Sequence, residues 1–336
     1  MDLDVIFLGT GGSVPSARRS TASVLVRAGG KRLLFDCGEG AQRQMQRSTG
    51  LVQVDEIYLT HLHADHYLGI PGLLKTYDLN EREAPLRVVG PPGVLELFVA
   101  LERIMGRVRY PLELVELGPD EAIGYDTFEV RSFAVEHRIT AYGWAFVEAG
   151  RPGRFDPERA QALGVTNKPD FARLQAGETV SGELGAVEPG QVLGEPRPGR
   201  KIVITGDTTP CEMTRLAAHQ AELLVHDGTF GDGEEERAAQ TGHSVVRQAG
   251  RLAMEAQVKS LALVHISSRY HVAALLEEAR AEFPAAFAPR DFDLVEIPFP
   301  ERGTPRVIRD GARERPEPPA GAEDPPTADT HVESHT

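Results

Sequence analysis

Residues 60–69 read T-H-L-H-A-D-H-Y-L-G and set four metal-binding side chains, His61, His63, Asp65 and His66, within six positions. The chain has 11 histidines in 336 residues, so three of them beside a carboxylate in one short run is more than scatter would produce. The run follows Ile57-Tyr58-Leu59-Thr60, an apolar stretch that reads as a buried strand ending at Thr60. Alternate residues leaving a strand point the same way, so His61 and His63 can share one cation. Asp65 and His66, one step further round the turn, can face a second cation about 3.5–4 Å away, the spacing of two-metal hydrolytic sites.

Such a centre needs ligands that hold its ions while leaving positions open for water and substrate. Three further candidates, His137, Asp207 and His265, each stand at the carboxyl end of a strand predicted over 128–135, 201–205 or 261–265. An aspartate between two cations is the natural bridge, because each of its oxygens can bind one ion. The expected set is His61, His63 and His137 on one ion, Asp65, His66 and His265 on the other, and Asp207 between them. Five imidazoles among these seven ligands favour zinc over magnesium, and two Zn²⁺ per chain are expected.

The elements that must position these groups can be read in order. A strand at 5–8 runs into G-T-G-G at 9–12; Gly9 and Gly11 fit a dinucleotide-binding G-x-G-x-x-G, but Val14 fills its last place, so the glycines read as a tight turn at the rim of the site. A hairpin (24–26 with 32–35), helices at 41–48, 68–79 and 94–103, and strands at 86–90 and 113–117 complete the first half. Strands at 201–205, 223–226, 261–265 and 292–297 then alternate with helices at 211–219, 244–256 and 272–282. Hairpins followed by strand–helix alternation in both halves predict an α/β (α+β) sandwich of two sheets with helices outside, in αββα order. Residues 150–199 are rich in Gly and Pro and weakly patterned outside 157–163, which marks a stretch that is either functional or flexible. One domain is expected over 1–310, followed by a Pro-rich tail at 311–336 with two basic and six acidic residues, expected to be disordered.

A net charge of −14 argues at first against a nucleic-acid partner. The distribution softens that, since residues 1–50 hold seven basic and four acidic side chains. Two cysteines, Cys37 and Cys211, cannot frame a disulfide scaffold, which suggests a reducing cytoplasm. No basic-then-apolar leader opens the sequence, and no apolar run approaches the roughly 18–20 residues of a membrane span.

The ordered set H-x-H-x-D-H, then His, Asp and His, resembles the signature of the metallo-β-lactamase superfamily. Its flanks resemble one branch, the ribonuclease Z family. They are F-L-G-T-G (7–11), F-D-C-G-E-G (35–40), T-H-L-H-A-D-H-Y-L-G-I-P-G-L-L (60–74), Y-P-L (110–112), G-D-T (206–208), G-H-S (242–244) and H-I-S-S-R-Y (265–270). The likeness spans roughly residues 3–300. It implies a metallo-β-lactamase-like αββα fold and a zinc-dependent endoribonuclease that removes the 3′ trailer from precursor tRNA, leaving a 3′-hydroxyl on the tRNA and a 5′-phosphate on the trailer. It also implies a homodimer and an inserted flexible arm, here residues 150–199, that grips the tRNA elbow.

Carried over residue by residue, Asp65 accepts a proton from the attacking water, His243 supported by Asp227 acts on the phosphate or the leaving oxygen, and Ser268 and Arg269 contact phosphate. In the arm, Arg151, Arg154, Arg159, Lys168 and Arg173 outnumber Asp156, Glu158 and Asp170, which suits phosphate contacts that position a substrate without reading its sequence. Arg151, Arg154, Lys168 and Arg173 are the expected contacts. Two departures stand out: the arm reads Asn167-Lys168-Pro169 where the family has Gly-Pro, and 226–229 read H-D-G-T where it has H-E-A-T, so Asp227 is one methylene short. Two rival readings share some of these features. Another hydrolase of the same fold, a small-molecule phosphodiesterase, lactonase or thioesterase, would keep the ligands without needing the arm; a non-catalytic RNA-binding or scaffold protein could lose ligands.

Overall fold

The computed structural model describes residues 2–311, so the expectation for the acidic tail lies almost wholly outside the described residues. Among these residues, one sheet has eight strands in the order Arg306–Ile308, Leu294–Glu296, Leu3–Gly9, Ser23–Ala28, Lys31–Phe35, Glu56–Tyr58, Leu86–Gly90 and Leu112–Glu116. The other has seven, in the order Ala286–Phe287, Leu261–Val264, Leu223–Asp227, Lys201–Ile204, Tyr142–Glu148, Phe128–Ala134 and Ala122–Gly124.

The strand sequences are near-continuous apolar runs because both faces of each sheet are covered. In Leu3–Gly9 the alternation is visible: Val5 and Phe7 point between the sheets, where they meet Phe128, Trp144, Phe146 and Ile204. Ile6 and Leu8 point the other way, against Met45, Leu73, Leu74 and Phe98 of the outer helices. The second sheet does the same, with Val203, Leu224 and Leu263 packed under Val246, Ala249, Leu252 and Leu275. This is the αββα sandwich that the sequence predicts.

Strand Tyr142–Glu148 escaped the sequence pattern because Gly143 interrupts it. The glycine is there for close approach: a Cβ would come within 2.1 Å of the Phe133 ring on the neighbouring strand. Gly143→Ala should therefore overpack the sheet at a cost of about 1–3 kcal/mol, read as a lowered thermal midpoint. An unchanged midpoint would show that Phe133 can turn aside freely.

Residues 150–199 carry more regular structure than their pattern suggests. Helices Pro157–Ala162 and Lys168–Gln175 and the hairpin Val180–Gly182/Gly185–Val187 enclose a small core of Ala160, Val165, Leu174, Val180, Val187 and Val192. Asn167-Lys168-Pro169 opens the second of these helices: Asn167 Oδ1 accepts from Asp170 N at 2.8 Å as the N-cap, and proline in the first turn loses no helical hydrogen bond. The departure from Gly-Pro is thus a conventional helix start.

The two sheets bring their carboxyl edges together, the usual place for a site in open α/β sheets. Strands Lys31–Phe35, Glu56–Tyr58 and Leu86–Gly90 run parallel in one, and Lys201–Ile204, Leu223–Asp227 and Leu261–Val264 run parallel in the other. Tyr142 N donates to Thr60 O at 2.9 Å, and a bridge pairs Gly11 with Ile266, so the edges are stitched at the level of the histidine run.

Candidate metal centre

All seven predicted ligands converge on this seam, though they come from loops after strands far apart in the chain. His61 Nε2 lies 3.0 Å from His63 Nδ1, and His137 Nε2 lies 3.2 Å from the same atom. Asp207 Oδ2 stands 3.6 Å from His61 Nε2. On the other side, His265 Nε2 is 3.2 Å from Asp65 Oδ2 and 3.3 Å from Asp207 Oδ2, and His66 Nε2 is 3.6 Å from Asp65 Oδ2. The ligand atoms of His61, His63, His137 and Asp207 fall within 4.8 Å of one another, as do those of Asp65, His66 and His265.

The outer nitrogens explain why the inner ones face inward. His61 Nδ1 meets Thr60 Oγ1 at 3.0 Å, His66 Nδ1 meets Asp36 Oδ2 at 2.7 Å, His137 Nδ1 meets Gly242 O at 2.7 Å and His265 Nδ1 meets Thr229 Oγ1 at 2.7 Å. Each contact fixes the ring and leaves Nε2 toward the centre, as metal-binding histidines are held. Gly242 is required for its contact, since its φ is +74° and a Cβ would sit 2.9 Å from His137 Nδ1. Three non-glycine residues, Ser13 (φ 63°), Asp36 (φ 56°) and His265 (φ 57°), hold left-handed backbone here, a strain found preferentially at functional sites.

The electrostatics suit a bound cation. His66 Nε2 and Asp207 Oδ1 are 3.4 Å apart, too poorly aligned to hydrogen-bond, and both are buried without a hydrogen-bond partner. Burial, with the neighbouring imidazoles, pushes His61 and His63 below the ordinary histidine range, and burial likewise lowers His137. Burial opposes charge on His66 and His265 too, but Asp207 pulls both upward, helped by Asp36 for the first and Asp65 for the second. Asp207 itself is held far below the carboxylate range: burial would raise it, and His265 and His66 overcome that. Lone pairs this close repel unless a cation sits among them, so the residues present fit one or two divalent ions.

Asp65 is also anchored from outside. Ser13 N donates to its Oδ2 at 2.8 Å, which is what the G-T-G-G turn provides at the rim. Beyond the ligands, His243 Nδ1 is 2.7 Å from Asp227 Oδ2, and the rings of His243 and His265 stack 5.0 Å apart. Burial would lower the His243 pKa, but the hydrogen bond and charge of Asp227 raise it to about 9. The shorter carboxylate therefore still reaches. Its other oxygen accepts from Thr229 N at 2.9 Å and Thr229 Oγ1 at 2.6 Å.

Asp36 and Thr229 are among the supports that the sequence reading passed over as such. Both lie in stretches it did single out, F-D-C-G-E-G and H-D-G-T, but nothing in their spacing shows which histidine each holds.

The other predicted contacts divide. Arg154 and Lys168 are exposed on the arm. Arg151 is taken up at the arm's root, paired to Glu301 at 2.8 Å with its guanidinium 3.7 Å above the Phe299 ring. Arg173 pairs with Glu178 at 2.8 Å and Asp170 at 3.3 Å. Ser268 is exposed just past His265, and Arg269 leans between Phe230 and Tyr270 with Glu234 3.4 Å away. Cys37 is buried and Cys211 half-buried, both free.

Residues 17–243 match the metallo-beta-lactamase superfamily. A protein named Ribonuclease Z from Natronomonas pharaonis is 47% identical over 307 residues, 90% of this chain and 100% of that one. The chain belongs to the ribonuclease Z family. A second member, from the bacterium Myxococcus xanthus, is 45% identical over 303 residues, covering 88% of this chain and 98% of its own. Among solved structures, the short form of human tRNase Z superposes with a TM-score of 0.63 at 27% identity, covering 88% of this chain and 99% of that one. YhfI from Bacillus subtilis, at 19% identity and a TM-score of 0.66, shares the fold. As a ribonuclease Z family member the protein is a metal-dependent hydrolase of the nuclease class, and among its described residues no helix is long and apolar enough to cross a membrane.

Proposed function

We infer that the protein is the endoribonuclease that removes the 3′ trailer from precursor tRNA. The observation that carries this reading is the double cradle at the sheet seam, seven inward-facing ligand groups with His243 poised beside them, in a chain of the ribonuclease Z family. His61, His63 and His137 would hold one ion, Asp65, His66 and His265 a second, and Asp207 would touch both. The imidazole-rich set favours zinc. When bound, the ions supply positive charge against the scissile phosphate and lower the pKa of the attacking water.

The chain's own residues do the rest. Asp65, fixed by Ser13 N, accepts the proton that the water gives up as it attacks phosphorus. His243, protonated through Asp227, gives its proton to the departing 3′-oxygen, which leaves a 3′-hydroxyl on the tRNA and a 5′-phosphate on the trailer. Arg154 and Lys168 on the arm, with Ser268 and Arg269 nearer the centre, meet phosphates; Arg151 and Arg173 hold the arm's own shape, their charge lent to it rather than to substrate. The working assembly is a homodimer in the cytoplasm, and a light-scattering mass of one chain would overturn the dimer.

The test is cleavage of a labelled precursor tRNA by the zinc-loaded protein, beside Asp65→Ala and a chelator-treated sample. Cutting just after the discriminator nucleotide, absent from both controls, is the expected result. Hydrolysis of bis-nitrophenyl phosphate without any cutting of the precursor would assign the site to another substrate. The arm gives a second check. Its core is separate from the sandwich core, so deleting residues 151–198 should spare the small phosphodiester and cost the precursor at least about tenfold in kcat/KM, as several phosphate contacts are lost together. Equal activity of the deletion on both substrates would remove the arm from substrate binding.

A further inference from the structure

The arm is rooted at the end of its sheet that lies away from the metal centre. It leaves strand Tyr142–Glu148 and returns to Lys201–Ile204, and these two strands pair antiparallel, Lys201 opposite Val147 and Ile204 opposite Trp144. Tyr142 stands at the histidine run, its N donating to Thr60 O. Glu148 is six residues further along, which at the rise of a strand puts it about 20 Å away. Whatever the arm grips is therefore placed against the centre by the angle at which the arm leaves its root. A small rotation there becomes a large displacement at the tip.

The stem alone is a weak means of fixing that angle, since an isolated two-stranded ribbon is marginal in water. It reads R-P-G-R at 151–154 and E-P-R-P-G at 195–199, and its prolines have no N–H to give to a ladder. Arg151 and Arg197 exchange two backbone bonds of 2.8 Å, and Gly194 N reaches Arg154 O at 2.9 Å. Beyond the stem, the apolar residues of the arm pack into a core of their own.

A segment belonging to the other sheet holds the stem. Residues 297–301 follow strand Leu294–Glu296, and Ile297 is buried between the sheets. Glu301 forks onto Arg151, its Oε1 accepting from Nη1 at 2.8 Å and its Oε2 from Nη2 at 2.9 Å. The same Oε1 accepts from Arg197 Nη1 at 3.0 Å, so one carboxylate grips both strands of the stem. The centre of the Phe299 ring lies 3.7 Å from the Arg151 guanidinium and 4.0 Å from that of Arg200. Arg200 is buried, paired to Glu148 at 2.8 Å, and donates to Ile297 O at 2.8 Å. A lone surface ion pair holds little. A carboxylate forked onto one guanidinium, shared with a second and backed by an aromatic ring holds much more.

We propose that Glu301 is a positioning residue that sets the direction of the arm, clamping both strands of its stem to the segment after Leu294–Glu296. It acts on the substrate only through Arg151 and Arg197, by deciding where the arm's phosphate contacts stand relative to the metal centre. The proposal rests on the endoribonuclease reading above.

The test uses the zinc-loaded protein and two variants. Glu301→Gln keeps the side chain's shape and drops its charge, and Glu301→Asp keeps the charge. Glu301→Gln should raise KM for a precursor tRNA about threefold to tenfold, because the arm is correctly aimed for a smaller fraction of the time. Its kcat, its hydrolysis of bis-nitrophenyl phosphate and its thermal midpoint should stay unchanged, and Glu301→Asp should recover part of the loss in KM. Spin labels read the direction itself, at Leu184→Cys on the turn of the arm's hairpin and Leu216→Cys on helix Glu212–Ala218, both exposed, in a Cys211→Ser background. Their distance distribution should broaden in Glu301→Gln. An unchanged KM or an unchanged distribution overturns the proposal, and so does an equal loss on the small phosphodiester. Should the wild type cut no precursor, the endoribonuclease reading fails on its own. The distances alone then decide: broadening supports the clamp, and an unchanged distribution removes it.

Discussion

Asp207→Ala should strip the protein of both ions and abolish cleavage. Asp207 faces both halves of the cradle, its Oδ2 3.6 Å from His61 Nε2 on one side and 3.3 Å from His265 Nε2 on the other. Removing it would take a ligand from each ion of the proposed pair, and the negative charge that draws His66 and His265 upward. Charge stabilisation by metals is worth several kcal/mol, so the loss in kcat should be about a thousandfold or more. Metal analysis separates this from misfolding: Asp207→Asn keeps the side chain's shape, and it too should bind less than the two ions proposed for the wild type while melting cooperatively. A variant that keeps two ions and cuts normally would mean that Asp207 bridges nothing.

How far the sequence showed this centre depended on where the information sits. His61, His63, Asp65 and His66 are legible because one turn after one strand sets them all, and local spacing is what sequence reports best. His137, Asp207 and His265 are legible as strand-end residues, although their convergence depends on two sheets whose facing cannot be read from either one. Asp36 and Thr229 are harder. Each holds a histidine 30 or 36 positions away, and an aspartate or threonine in a turn has many local reasons to be there. The arm hid its order for a similar reason: Ala160, Leu174, Val187 and Val192 form one cluster, but they come from short elements whose apolar positions are too few to show a period. The strand containing Gly143 was obscured by the residue that lets it pack.

The second large effect concerns His243. Its proton is held by Asp227, which lifts the imidazole to about 9 from an ordinary value of 6.5. A raised value means that the charged form is complete at neutral pH and is lost as pH rises through about 9, so a group acting as an acid fails on the alkaline side. The wild-type kcat should therefore fall above about pH 9, and His243→Ala should lower kcat by roughly 10²–10⁴ and remove that limb. Asp227→Asn tests the partner. With the carboxylate gone, burial is the largest remaining influence on His243 and acts downward, so the alkaline limb should move toward neutral pH or below while KM changes little. Asp227→Glu restores the charge and the family's own residue, and should return the limb toward its wild-type position. A purely structural role for Asp227 predicts something different: less folded protein, an unmoved limb, and no rescue by glutamate. The pH profile therefore distinguishes a poised acid from a packing histidine, because only the acid carries its proton affinity into the rate.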